Sequence, residues 1–489
     1  MKKYTLAIIL ICSFILRVYK GPELFFWNID EDIIGLTVKR MFTDNHPQLI
    51  GFPIPGGIYL GPLFYYIISV FYIIAFFDPG KFYILSVLLA TLTTFLVYKV
   101  GSTIFEKKAI GIIAAFIFAF SYFSNVYSRL LTGLSFGPIL SLITYWILYQ
   151  NMKLKKTKWL LALGIVLLIA SQNEGSSLSL LALTILTFII FKLKVPVAKL
   201  KQVIGLFVLF HIPLLIFDLR HNFHITKSFL SFVSLSGNSS TPSFSLDTIT
   251  SAIEIFPLTV SRILFPTGEL STSSQILPCA DLIFPRISAI SPLIFSLSTV
   301  ILGFFLLRVS LKRSKTAGEN IIVLHLLTAV LGVIAFNVFL TGYLYEWILI
   351  VLLPAFCFII AYSFAYLYEK SIYLKVFLGI LLICFITINL KAVLDSKDNF
   401  GLAAKKAIVR EAIEHIDNRE YYLESLGSCY QMGYMYLFWQ AGHFPTSSWM
   451  DDMFSPTYYP RTFTKADTKI VISNPSKNES KQFFEKYNY

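Results

Sequence analysis

Charge is scarce in this chain. Of its 489 residues only 14% are Asp, Glu, Lys or Arg, against 56% hydrophobic, and the mean hydropathy is +0.69. Soluble domains carry about 25% charged residues, so that class is excluded. Cysteine is scarce too: Cys12, Cys279, Cys357, Cys384 and Cys429, of which three lie in apolar runs and act as small hydrophobes. With no CxxC pair and no Cys/His metal spacing, neither a zinc module nor a disulfide framework is indicated. No internal repeat is visible, which weakens a transporter built on inverted repeats. Gly51 to Gly61, with Pro53, Pro55 and Pro62, lacks the Lys-Ser/Thr ending of a phosphate loop and reads as a rigid, turn-rich segment. Acids are outnumbered 28 to 41, for a net charge of +13. The excess lies in short clusters between apolar runs. That is the positive-inside pattern of a multi-pass protein, and no nucleic-acid partner is indicated.

What the chain has is long apolar runs. Eleven, at 4–19, 82–99, 109–127, 136–150, 159–172, 176–192, 201–217, 289–308, 319–341, 346–367 and 372–391, read as membrane spans. A twelfth, 60–77, is the question. If the Lys/Arg clusters all face the cytoplasm, the spans alternate consistently only when 60–77 does not cross. Its Gly61-Pro62 start and its Tyr and Phe residues suit a helix lying at the outer interface. The expected fold is therefore a polytopic α-helical membrane protein of about eleven spans over 1–391, N-terminus inside. Met1-Lys2-Lys3 and the first run resemble a signal peptide, but the run closes on Leu16-Arg17-Val18-Tyr19-Lys20 without a small-residue cleavage site and reads as a retained anchor. The outer face receives the loops 20–81 and 218–288 and a C-terminal segment, 392–489, whose charges are balanced. Ala403 to Ile416 reads there as a helix and Lys469 to Ile472 as a strand, which makes a small extracytoplasmic α/β domain.

One outer stretch stands apart, Trp27-Asn28-Ile29-Asp30-Glu31-Asp32. An acidic triplet beside a hydrocarbon span is either helix-cap chemistry or a functional site. On a helix starting near Asn28, successive residues point about 100° apart, so the three acids occupy different faces. One can face a cavity while another caps the helix or meets a cation. A desolvated carboxylate has a raised pKa and is a better proton acceptor near neutral pH. Cations share the expected face: Arg129 after Tyr127-Ser128, and Arg220 and His221 within Phe217-Asp218-Leu219-Arg220-His221-Asn222. The guanidinium fork suits a phosphate, although Arg129 also suits snorkelling to headgroups and Asp218 with Arg220 a local helix-ending pair. Gln172-Asn173-Glu174 is a polar break on the same side, more readily a turn than a site. Tyr343, Tyr345 and Glu346 line the same cavity or anchor the interface. The clustered acids are also of the kind that holds a divalent cation.

In order and spacing, Asn28-Ile29-Asp30-Glu31, Gly56-Gly57-Ile58-Tyr59-Leu60-Gly61-Pro62-Leu63-Phe64-Tyr65-Tyr66, Tyr127-Ser128-Arg129 and Phe217 to Asn222 resemble the GT-C superfamily of membrane glycosyltransferases. The branch is that of protein O-mannosyltransferases and bacterial lipid A aminoarabinose transferases. The resemblance covers most of residues 1–230 and fades afterwards. It implies a polyprenyl-phosphate-sugar donor, a lipid, polysaccharide or protein acceptor, and a catalytic cavity on the outer face with interfacial helices in the first outer loop. By the family pattern Asp30 is the base, Glu31 its neighbour, Asp32 an addition available to substrate, and Arg129 the partner of the donor phosphate. After Arg129, Leu130-Leu131-Thr132-Gly133 departs from the pattern by lacking an Asn or acidic position. The competing class is a transporter or flippase for a lipid-linked saccharide, which would release no free polyprenyl phosphate.

Overall fold

The described part of every run read as a span is helical in the computed structural model, which describes residues 4–54, 58–234, 245–266, 292–340, 344, 346–398, 400–416, 420–426, 432–449, 451 and 468–473. Helix α1 is Thr5–Val18, followed by the short α2, Gly21–Leu24, and by α3, Ile29–Thr43. A two-residue hairpin, β1 Pro53–Ile54 with β2 Ile58–Tyr59, leads to α4, Leu63–Ile74. Then come α5 Pro79–Ile104, α6 Lys108–Phe120, α7 Tyr122–Tyr127, α8 Gly133–Leu154, α9 Leu160–Asn173, α10 Ser179–Ile190 and α11 Val197–Arg220. The large loop holds α12 His224–Ser234 and α13 Leu246–Leu264, and α14 Pro292–Leu311, α15 Ala317–Leu340, α16 Leu353–Tyr368 and α17 Ile372–Asp395 follow. The tail contributes α18 Leu402–Glu414, β3 Tyr421–Leu426, α19 Met435–Gln440, β4 Ser447–Ser448 and β5 Thr468–Ser473. Its strands form a parallel sheet in the order β4-β3-β5.

Six helices among the described residues are long and apolar enough to cross a membrane. This is a multi-pass helical membrane protein. Burial sorts the six. The 346–368 segment is 83% buried and runs through the core, whereas 197–220 is 11% buried and turns Ile204, Val208, Leu209 and Leu215 outward. Apolar side chains facing out all along a helix mark a lipid-facing surface.

Helix α4 differs from these. Its 12 residues reach about 18 Å, short of the roughly 30 Å hydrocarbon core. Phe64, Tyr65, Ile68, Ser69 and Tyr72 bury one face against α3, while Val70, Ile73 and Ile74 stay exposed on the other. Two expected spans are interrupted. The run 109–127 breaks at Ser121, whose hydroxyl donates to Ile263 O (2.8 Å) while Asn389 Oδ1 accepts the Tyr122 N–H (2.7 Å). The run 346–367 opens as a 3-10 turn, Glu346–Leu352, before α16. At the first break the Asn389 side chain thus takes over an N–H that a continuous helix would pair internally.

A second apolar core lies outside the bundle. Phe25, Trp27, Ile33 and Ile34 from the first loop, with Tyr65 and Tyr72 from α4, pack on Leu402, Val409, Tyr434 and Tyr436 of the tail. The tail is thereby a lid over the start of α3.

Candidate active site

Helix α3 begins where it does because Asn28 caps it. The Asn28 carboxamide oxygen accepts the N–H of Asp30 (2.7 Å) and of Glu31 (3.4 Å), and Glu31 Oε2 accepts the Asn28 N–H (3.0 Å), a capping box. Glu31 is thus a cap, 2% exposed, and its Oε1 has no hydrogen-bond partner among the described residues. Asp32 is fully buried and looks the other way. Its Oδ1 accepts the Tyr436 N–H (2.7 Å) and its Oδ2 the Met435 N–H (3.1 Å), so it caps α19 and pins the tail. Expected at substrate, Asp32 has both oxygens engaged by backbone. Asp30 is the member left over, half-buried, with no carboxylate hydrogen bond among the described residues. The triplet therefore divides into one free acid and two anchors, each on its own face.

Burial raises all three. Asp30 is pushed up to about 6 by loss of water. Glu31 rises to about 8, from burial and from the neighbouring Asp30 charge. Asp32 rises to about 7 from burial, against the pull of the Tyr436 and Met435 N–H groups and Lys405. At neutral pH the free acid is mostly ionised and the capping glutamate mostly protonated, a separation of roles that suits acid–base chemistry.

Lys405, unforeseen in the sequence, is the cation beneath the triplet. It is fully buried on α18, and its ammonium donates to the carbonyls of Trp27 and Met432. Burial lowers it to about 7, with Asp398, Glu31 and Asp32 opposing the fall. The lid is tied further by Trp27 Nε1 to Gly433 O (2.9 Å), Lys406 Nζ to Asp78 Oδ1 (2.9 Å) and Tyr436 hydroxyl to Phe77 O (2.9 Å). Gly433 has φ +104°, and a Cβ there would lie 2.5 Å from Asn28 O, so only glycine allows this approach.

Glu174 lies within reach of the Asp30 charge. It caps the 3-10 turn at Gly175–Leu178, and burial followed by the Asp30 charge pushes it up to about 7. Its neighbours hold the start of α4 and the start of α8. Gln172 Oε1 accepts the Leu63 N–H (3.1 Å), and Asn173 Nδ2 donates to Gly133 O (2.8 Å). The Tyr65 phenol, also buried, is raised first by desolvation and further by Asp30. Among the described residues no three His, Cys, Asp or Glu side chains gather as a metal set. Two of the triplet's carboxylates are turned to capping, leaving Asp30 as the member with no backbone partner among the described residues.

The arginines fall in separate places. Arg129 is 4% exposed, its Nη2 donating to Leu16 O (3.1 Å) and its backbone carbonyl accepting the Phe26 N–H (2.8 Å). It lies in the field of Arg17, which donates to Ser13, Phe118, Ala119 and Ser124. The backbone bond puts Arg129 beside the entry to α3, though no contact joins it to Asp30. Arg220 and His221 are exposed at the end of α11, and His221 stacks on Phe217 at 3.9 Å. Neither meets the carboxylates. Asp218 caps α12 through the N–H groups of Ile225 and Thr226 rather than pairing Arg220. Tyr345 lies outside the described residues; beside it, Glu346 pairs with the buried Arg262 of α13.

Residues 59–217 match the family described as dolichyl-phosphate-mannose-protein mannosyltransferase, a segment that includes Arg129 and Glu174 and begins after Asp30. No curated protein matches the sequence significantly. In fold, ArnT from Cupriavidus metallidurans, solved bound to undecaprenyl phosphate, aligns over 99% of this chain and 95% of its own, at 8% identity and a TM-score of 0.54. The Archaeoglobus fulgidus oligosaccharyltransferase AglB, solved with an inhibitory peptide and a dolichol-phosphate, aligns over 91% of this chain at 12% identity and a TM-score of 0.48; this chain spans 64% of its length. The apo form of that enzyme gives 13% identity and a TM-score of 0.47. The family match covers about a third of the chain, a segment similar to the protein mannosyltransferases. The likeness to ArnT extends over nearly the whole chain and is one of fold.

Proposed function

We propose that this protein transfers a sugar from a polyprenyl-phosphate donor to an acceptor hydroxyl at the outer face of the membrane, with inversion at the anomeric carbon. Asp30 takes the hydroxyl proton. The oxygen lone pair forms the new bond to the anomeric carbon, and the bond from that carbon to the phosphate oxygen breaks. Polyprenyl phosphate leaves with the electron pair. Arg129, with Arg17 behind it, is the buried cationic pair assigned to offset the charge growing on the phosphate. The observation that carries the reading is the free Asp30 carboxyl, raised to about 6 beside two acids occupied elsewhere.

A general base contributes roughly 10²–10⁴-fold. Asp30→Asn is therefore expected to lower release of free polyprenyl phosphate by at least about 10²-fold. Its thermal midpoint should not fall, because the variant removes a desolvated charge. Undiminished release from Asp30→Asn would overturn the assignment.

A further inference from the structure

Far from the acidic site, a cavity of about 1010 Å³ opens among helix ends, and its lining is strongly basic. Lys153 and Lys155 come from the end of α8, Lys192 and Lys194 from the turn after α10, and Lys312 and Lys315 from the turn between α14 and α15. Two of the six are committed: Lys153 pairs with Glu106, and Lys312 with the buried Glu319 at 2.9 Å. The other four have no carboxylate partner among the described residues. Basic clusters of this kind orient a membrane protein, but orientation does not require three separate turns to face one concavity. Like charges around a hollow repel unless an anion offsets them. Met152, Phe191 and Leu193 add an apolar wall, and Thr157, Ser314 and Asn320 add neutral polar groups.

We propose that this cleft binds the headgroup of an anionic phospholipid of the inner leaflet, one carrying two phosphates. Lysines from three sides suit a divided charge better than a single one, and the apolar wall suits the glycerol and first methylenes. Basic pockets between membrane helices are known to recognise such headgroups.

The test uses the full chain in phosphatidylcholine nanodiscs doped with diphosphatidylglycerol, with bound lipids counted by native mass spectrometry. The unaltered protein should retain diphosphatidylglycerol at least tenfold over phosphatidylcholine. The combined variant Lys155→Gln, Lys192→Gln, Lys194→Gln, Lys315→Gln should fall to within twofold of no preference. Arg at the same four positions should restore it, and Lys370→Gln with Lys375→Gln, outside the cleft, should leave it intact. Preference that survives the four Gln changes, or is absent from the unaltered chain, overturns the site. Binding of inorganic pyrophosphate without any lipid preference overturns the lipid assignment in favour of a free phosphate ligand.

Discussion

Asn28 to Asp32 and Phe217 to Thr226 begin alike. Each is a polar junction at a helix end, and each has an aspartate that accepts two backbone N–H groups of a following helix. The helix that Asp218 caps is the next in the chain. The helix that Asp32 caps belongs to the tail. That difference decides the chemistry. The tail brings Tyr434 and Tyr436 over Trp27 and the first junction, excludes water and raises its acids. Among the described residues no such roof covers the second junction, and its charged ends, Arg220 and His221, are exposed. Residue type does not separate a site from a turn here; the cover does.

The largest way to break the contrast is to loosen the cover. Lys405→Ala strips two carbonyls of their donor and leaves Glu31 and Asp32 without the cation that lowers them. Removing one partner of a buried charge group costs about 3–5 kcal/mol. A clear fall in thermal midpoint is expected, together with proteolysis in the tail. An unchanged midpoint would mean that the lid does not depend on Lys405.

Next comes pH. The folded Asp30 binds its proton more tightly than the unfolded chain does, since burial raises it from 3.8 to about 6. Its contribution to stability is therefore full below about pH 4 and is lost as pH rises through about 6, with Glu31 extending the decline toward 8. Activity should move the opposite way, rising through about pH 6 as the base ionises. Midpoint and kcat/KM measured across pH 5–8 should cross, and Asp30→Asn should flatten the lower part of the stability slope. A kcat/KM that falls across that interval would contradict the role of Asp30 as base.

How far the sequence carries this comparison depends on the distance over which each partner acts. The 100° phase between neighbours on a helix already requires Asp30, Glu31 and Asp32 to meet three surroundings. The cap at Asn28 is local and legible too. The partners of Asp32 lie some 400 positions away in the chain, and no local pattern points to them. Lys405 left a trace: it stands on the stripe Leu402, Lys405, Val409 that α18 buries, a cation at a core position of a helix already expected. The pair Arg262–Glu346 left none, because a buried ion pair between distant helices has no spacing rule. Glu174 read as a turn because a polar break and a site acid look the same until their neighbours are known.

Glu174→Gln sharpens the comparison within the first junction. Its charge and that of Asp30 oppose each other, so the neutral variant should let Asp30 ionise at slightly lower pH. A shift of the rising kcat/KM limb by less than about one unit, with the plateau changed less than about tenfold, is expected. A loss as large as that of Asp30→Asn would make Glu174 the base instead.

The smallest effect belongs to the second junction. Arg220 is exposed and has no bonding partner among the described residues, while His221 is satisfied locally, its Nδ1 lying 2.8 Å from Phe217 O and its ring stacked on Phe217. Exposed substitutions of this kind usually fall within about 0.5 kcal/mol. Arg220→Ala should leave the midpoint and kcat/KM nearly unchanged, and His221→Ala should cost little more than its stacking. If Arg220→Ala instead raises KM for the lipid donor strongly, α11 must swing toward the first junction when donor binds. The roof over Asp30 would then be shared by both junctions during turnover, and the contrast between covered and open would describe only the resting protein.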